Sequence, residues 1–313
     1  MTKAGTPRIS VIMPAYNCAA TAGHAINSIL NQSLSDLELI IVYDNSPDGT
    51  LEILQEHASH DSRIHLVENR LPPGAWRKMV SALNLGMTNA RAPFLARMDT
   101  DDIAMPDRLA TQIEFLTRHP DVDICGTWAK VIDKHGVETG ALIPPSGNDR
   151  IRIAAYYAAP LLHPTYVMRR KMFEALDGYR DMVAEDYDLL LRAIDAGFKL
   201  DNCPIWGISY RQQPSHRAFV GTHKSGDYAL MMHKRRRRGL PDNFDATDAR
   251  QLLQNPSRVE RYATRLLEKG FDRMQRHRLA GAITVAAALL LLPGSRHLAV
   301  RKLITKVRLA VHG

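Results

Sequence analysis

The strongest constraint on the fold of this chain is the alternation of short apolar runs with helical periodicity over its first hundred residues. Ile9-Ser10-Val11-Ile12-Met13 reads as a buried strand, followed by a helix from about Ala19 to Asn31. Leu37 to Val42 is a second strand, after which Ser46-Pro47-Asp48 opens a helix. Ser suits the N-cap, Pro the first helical position, and Asp the positive end of the helix dipole. Ile64 to Val67 and Phe94 to Met98 are further strands, separated by a helical stretch from about Ala75 to Thr88. This alternation predicts an α/β fold: a doubly wound, mainly parallel sheet flanked by helices, with ligands bound at the carboxyl ends of the strands.

After Asp102 the pattern changes. Pro106 to Arg118 reads as a helix, and Ile124 to Ile132 as a strand that returns across the turn Lys134-His135-Gly136. Gly140 to Asn148 has the composition of a loop. Tyr187, Leu190, Leu191 and Ile194 repeat at helical spacing, so Tyr187 to Ala196 is a helix. Tyr210 ends the last strand, and the chain beyond Asp227 reads as helical.

Charge divides the chain. From Lys234 onward there are 18 Lys and Arg against 6 Asp and Glu, a charge of +12; the residues before it hold 23 against 27, or −4. A mildly acidic body carries a basic tail. The three cysteines, Cys18, Cys125 and Cys203, are scattered and form no CxxC pair. That argues against a disulfide framework and a zinc site and suits a reducing compartment. The apolar run after the short polar N-terminus is too brief for a secretion signal.

Three acidic clusters fall where strands end or a helix begins. Asp44 follows Leu39-Ile40-Ile41-Val42; Asp99-Thr100-Asp101-Asp102 follows Phe94 to Met98; Glu185-Asp186 precedes the helix at Tyr187. Two carboxylates at i and i+2 after a strand can direct oxygens at one hard cation, Mg²⁺ or Mn²⁺, which then bridges to phosphate oxygens. The same residues could equally cap the helix that begins near Pro106.

Taken in order, Val11-Ile12-Met13-Pro14-Ala15-Tyr16-Asn17, Val42 to Thr50, Asp99 to Asp102 with Met105-Pro106-Asp107-Arg108, and Glu185-Asp186-Tyr187-Asp188 resemble the inverting glycosyltransferase family 2 over roughly residues 8 to 217. The resemblance implies a GT-A fold. It implies a catalytic domain over 1–226, with a nucleotide-binding part of about 8–102 and an acceptor part of about 103–226. A helical basic C-terminal extension over 227–313 follows. Pro14, Ala15 and Tyr16 would then line the uracil and ribose pocket of a UDP-sugar donor. Asp44 would accept a hydrogen bond from uracil N3–H, as an acceptor-only carboxylate can. Arg77 or Lys78 would stand near the nucleotide. Asp99 would contact ribose or metal, and Asp101 would bind the metal on the diphosphate. Asp186 would be the base that deprotonates the acceptor hydroxyl, with Glu185 beside it, and a glycan or lipid-linked molecule would be the acceptor.

The chain departs from the family pattern at two places. Tyr43-Asp44 stands where two aspartates are common, and Gln213 where a histidine often follows a Tyr-Arg pair, here Tyr210-Arg211. His216 could supply the missing ligand or be an exposed loop histidine. His163 matches a position near the acceptor or is a hydrogen-bonded buried histidine. Trp76 and Trp206 suit sugar stacking or core packing.

In the tail, Lys234-Arg235-Arg236-Arg237-Arg238 is either a solvated helix face or a contact for anionic lipid. Ala282 to Leu292 is too short to span a bilayer. Val300, Leu303, Ile304, Val307 and Val311 share one helical face opposite Arg301, Lys302, Lys306 and Arg308. Such a helix lies in a membrane interface or packs on the catalytic domain. The expected location is cytoplasmic, with peripheral contact at the inner face of the cytoplasmic membrane one reading of the tail. Nothing resembles a nucleic-acid module, and an acidic body repels phosphate. A non-catalytic nucleotide-sugar-binding protein is the alternative function.

Overall fold

The computed structural model describes residues 5–71, 78–212, 216–248 and 251. The chain divides into two compact units. One comprises residues 1–151, 160–179 and 192–212; the other comprises 152–159, 180–191 and 213–313.

The first unit contains the whole described sheet. Along the whole chain the elements in order are β1 (Ile9–Ala15), α1 (Ala22–Leu30), β2 (Leu37–Tyr43), α2 (Thr50–His60), β3 (Ile64–Glu68), α3 (Lys78–Asn89), β4 (Phe94–Arg97), β5 (Ile103–Ala104), α4 (Arg108–Arg118), β6 (Ile124–Ile132) and β7 (Glu138–Leu142). After α5 (Asn148–Ala154) come a 3₁₀ turn at His163–Thr165, β8 (Val167–Arg169), α6 (Arg170–Ala175), α7 (Glu185–Asp195), β9 (Leu200–Arg211) and α8 (His216–Arg237). The sheet order is β3-β2-β1-β4-β8-β6-β9-β5, with β7 paired to β6. Strands β3, β2, β1 and β4 are parallel, as are β6 and β9, while β8 runs antiparallel to both neighbours. The α/β, mainly parallel architecture expected from the sequence is the one present.

The parallel half forms around its central strands β1 and β2, which are mostly apolar and buried on both faces, as strands sandwiched between helices must be, while β3 at the edge is only partly buried. Every residue of β1 and β2 is buried. Helix α3 lies so close to β1 that a Cβ on Gly86 would meet Ile12 Cγ2 at 2.6 Å, so only glycine fits there. Register brings the ends of β2, β1 and β4 together: Ala15 pairs with Tyr43, and Ile12 with Arg97.

Three expectations are corrected. The helix after Ser46 begins at Thr50, not at Pro47, because Ser46 and Asp48 spend their side chains on the β1–α1 loop. Residues 138–142 within and before the expected loop form β7, a fully exposed strand that pairs only with β6; with no face buried, it carries no apolar alternation to read. Glu185 and Asp186 lie inside the first turn of α7 and not ahead of it, so both sit at the positive end of the helix dipole.

In the second unit, the Tyr187 hydroxyl donates to the Ala155 carbonyl at 2.5 Å. The basic run ends α8, where cations complement the helix dipole. Arg236 pairs with Asp242 at 2.7 Å, Asp242 also holds Arg180 at 2.8 Å, and Arg180 lies over the Phe244 ring. Arg235 donates to the Pro241 carbonyl. The run is therefore divided: Arg235 and Arg236 fasten the segment after the helix, and Lys234, Arg237 and Arg238 are exposed. The amphipathic stretch 300–311 and the apolar stretch 282–292 lie outside the described residues. Among the described residues no helix is long and apolar enough to cross a membrane.

Candidate active site

Three loops meet at the carboxyl ends of β1, β2 and β4. The first two are stitched together. Ser46 Oγ accepts the Asn17 N–H at 2.9 Å, Thr50 Oγ1 accepts the Cys18 N–H at 2.9 Å, and Asp48 Oδ2 accepts the Ala19 N–H at 3.0 Å. Thr50 in turn donates its hydroxyl to Asp48 Oδ1 at 2.6 Å, which helps hold the Asp48 carboxyl below its usual range. Asn17 and Asn45 both take left-handed backbone angles, φ 51° and 35°, a conformation asparagine tolerates better than most residues. The stitching thus fixes two tight turns against each other. Pro14 and Ala15 are buried at the end of β1, Tyr16 is 56% exposed, and Asp44 is only 5% exposed at the end of β2. These are the four residues assigned to the base and ribose pocket, gathered on adjacent strand ends.

The third loop carries the acid. Ligand oxygens of Asp99, Asp101 and Asp102 all lie within 4.8 Å of one another. Arg97, buried at the end of β4, grips both oxygens of Asp99 at 2.5 Å. Asp102, 1% exposed, accepts the Arg211 N–H on Oδ1 at 2.7 Å, while its buried Oδ2 has no hydrogen-bond partner. Burial first, and Asp99 next, raise its carboxyl to about 8; the same causes raise Asp101. Beneath the loop, fully buried Arg108 donates to the Arg97 carbonyl at 2.9 Å, and burial lowers its guanidinium to about 10. Arg211 reaches from β9 to the carbonyls of Asp101 and Asp133.

Hard oxygen donors converge here, and one buried carboxylate oxygen is left without a protein partner. Both features fit a divalent cation such as Mg²⁺ or Mn²⁺.

The remaining expected residues are placed as follows. His163 sits in the 3₁₀ turn with Nε2 3.1 Å from the Tyr179 hydroxyl, and its ring lies 5.1 Å from that of Tyr166 and 5.5 Å from that of Tyr179. Burial, then Arg97, keeps it neutral well below the usual histidine range. Lys78 opens α3 and His216 opens α8; Arg77, Gln213 and Trp76 lie outside the described residues. Trp206 is partly exposed and packs edge-on against Trp128 at 5.5 Å. Glu185 is buried, and Asp186 stands beside it in the second unit. Arg97 and Arg211 were not singled out from the sequence. A charged residue inside the apolar run Phe94 to Met98 was the available signal for Arg97.

The family model described as glycosyl transferase family 2 matches residues 10–177. The chain belongs to that family. The putative glycosyltransferase EpsE of Bacillus subtilis is 36% identical over 198 residues, covering 62% of this chain and 69% of that protein. The amylovoran biosynthesis glycosyltransferase AmsE of Erwinia amylovora is 30% identical over 200 residues, covering 62% and 73%. Among solved structures, the mannosyltransferase PcManGT of Pyrobaculum calidifontis, in complex with GDP-Man and Mn²⁺, superposes with a TM-score of 0.59 at 17% identity, covering 91% of this chain and 86% of that one. That likeness is one of fold. The protein is thus a glycosyltransferase with a GT-A-type fold.

Proposed function

We propose that the chain is a metal-dependent, inverting glycosyltransferase that moves a sugar from a nucleotide-diphosphate donor, a UDP-sugar, to a hydroxyl of a glycan or lipid-linked acceptor. The observation that carries this reading is the placement of Asp44 and the Asp99–Asp102 cluster at the carboxyl ends of β2 and β4, the two strands that flank β1, with a buried Asp102 oxygen left over. One end of this surface suits a base and the other a diphosphate.

Pro14, Ala15 and Tyr16 line the base and ribose, and Asp44 accepts an N–H from the base. Uracil offers one at N3, and cytosine offers none there; guanine also presents one, so competition between UDP and GDP tests the base. Arg77 or Lys78 stands near the nucleotide. Asp101, with Asp99 or Asp102, would hold the divalent cation, which when bound neutralises charge building on the departing diphosphate. In the acceptor part, Asp186 takes the acceptor proton as its oxygen attacks the anomeric carbon from the face opposite the leaving group, and Glu185 adjoins it. His163, neutral and hydrogen-bonded, orients its surroundings near the acceptor; Gln213 and His216 are the candidates for a further diphosphate or metal contact. We take 1–226 as the catalytic domain and 227–313 as the extension. The name of the Erwinia relative supports polysaccharide biosynthesis as the setting.

The test is a screen of nucleotide-sugars for nucleotide release, with Mn²⁺ and with EDTA, using wild type and Asp186→Asn. Release should require the metal. Asn keeps the shape but loses the basic electron pair, so transfer should fall at least ~10²-fold while donor binding survives. Metal-dependent UDP binding with no turnover of any donor would instead support the non-catalytic binding protein.

A further inference from the structure

Helix α7 holds Glu185, Asp186 and Asp188 in its first turn and is entered through the irregular residues 180–184. Glu185 and Asp188 stand at i and i+3, where like charges oppose the helix. Asp188 is fully buried, and the Arg180 guanidinium lies 3.8 Å from its carboxylate. Asp242 binds the same guanidinium at 2.8 Å, and Arg236 binds Asp242 at 2.7 Å. The four side chains, Asp188, Arg180, Asp242 and Arg236, alternate in charge. They run from the first turn of α7 to the last turn of α8.

The segment after α8 gives Arg180 a seat as well as a charge. The guanidinium lies 5.0 Å from the centroid of the Phe244 ring, the geometry of a cation on an aromatic face. Tyr228 of α8 packs against Phe244 with centroids 6.2 Å apart, and its hydroxyl accepts the Asp245 N–H at 3.1 Å. Burial would raise the Asp242 carboxyl, yet Arg180 and Arg236 hold it below its usual range, so it is ionised at neutral pH. Tyr187 holds the same turn of α7 from another direction. Its hydroxyl donates to the Ala155 carbonyl, and its ring lies 3.7 Å from where a Cβ on Gly226 of α8 would stand.

We propose that Asp242 is a positioning residue for sugar transfer: through Arg180 and Asp188 it fixes the first turn of α7, and with it the carboxylates of Glu185 and Asp186. It touches no reacting atom. The proposal rests on the reading of Asp186 as the base and extends it to the segment after α8. A base must stand within hydrogen-bond reach of the proton it removes, and a small displacement costs rate. The loss of Asp242 should therefore appear in kcat. Donor binding, assigned above to the loops after β1, β2 and β4, should be spared.

Hydrogen–deuterium exchange read by mass spectrometry on the full chain tests this, together with turnover of the donor found in the nucleotide-sugar screen. In Asp242→Asn, peptides covering 180–188 should exchange several-fold faster while those of β1 and β2 match wild type. The kcat should fall about tenfold, with the donor KM and the UDP Kd within about twofold of wild type. Phe244→Leu keeps the apolar bulk but removes the ring beside Arg180, so it should move both readings the same way by less. Arg180→Met combined with Asp242→Asn should lose no more kcat than the more impaired single variant, because both act through one contact. Wild-type kcat in folded Asp242→Asn would overturn the proposal, as would unchanged exchange at 180–188 or a double variant whose losses multiply. Faster exchange spread equally through β1 and β2 would overturn it too, since the segment would then only support the fold. Asp186→Asn turning over at the wild-type rate would instead overturn the base reading on which the proposal stands.

Discussion

Asp102 shows how a single side chain can set stability and binding against each other. Its carboxyl, raised to about 8 by burial and by Asp99, holds a proton in the folded chain across a range where the unfolded chain has released it. Below about 4 both states are protonated and that advantage is intact; between about 4 and 8 the folded state binds more protons, so stability falls as pH rises. In Asp102→Asn, Oδ1 still accepts the Arg211 N–H and the ionisable oxygen is gone. In EDTA, the melting temperature of the variant should exceed that of wild type by an amount that grows from pH 6 to pH 8.5. Thermal melts with parallel pH slopes for the two proteins would contradict this. Mn²⁺ should narrow the gap by stabilising wild type alone, since a ligand of the native state raises stability by mass action.

At the scale of elements, the turn between β2 and α2 is a clasp. Thr50→Val keeps the shape, removes the hydroxyl that accepts the Cys18 N–H, and leaves a buried donor unpaired at a cost of ~1–3 kcal/mol. We expect UDP affinity to fall about tenfold in Thr50→Val and to be retained in Thr50→Ser, as read by calorimetry. Equal affinity in Val and wild type would show that the stitching does not position the pocket. The sequence was legible where burial imposes a period: β1, β2, β4 and α7 all carry their apolar pattern on the page. It misled where one composition serves two geometries. Ser46, Pro47 and Asp48 suit a helix cap as well as a clasp, and only the partners Asn17 and Ala19, 29 residues away, decide between them. The turn at Lys134-His135-Gly136 signalled the return of the chain, but the extent of β7 was not readable because its residues are exposed and carry no apolar period. Arg97 and Arg211 act through long-range contacts that spacing cannot express, so the acidic cluster was readable while the cations that hold it were not.

At the scale of the molecule, a mildly acidic body carries a tail of charge +12. Arg235 and Arg236 already serve internal contacts, so Lys234, Arg237 and Arg238 are the members of the run open to a partner. Each basic residue at an anionic bilayer contributes about 1 kcal/mol, and salt screens that attraction. We predict co-sedimentation with anionic vesicles, release at high salt, and loss of binding on deletion from Arg296 onward. Equal sedimentation with neutral vesicles would remove the electrostatic basis. The measurement that bears most directly on the donor site as a whole is calorimetric titration of UDP into wild type and Asp101→Ala, in Mn²⁺ and in EDTA. We predict that wild type binds UDP more tightly in Mn²⁺ and that Asp101→Ala abolishes most of that difference. Equal UDP affinity of wild type in Mn²⁺ and EDTA would contradict a metal-bridged nucleotide site at the ends of β1, β2 and β4.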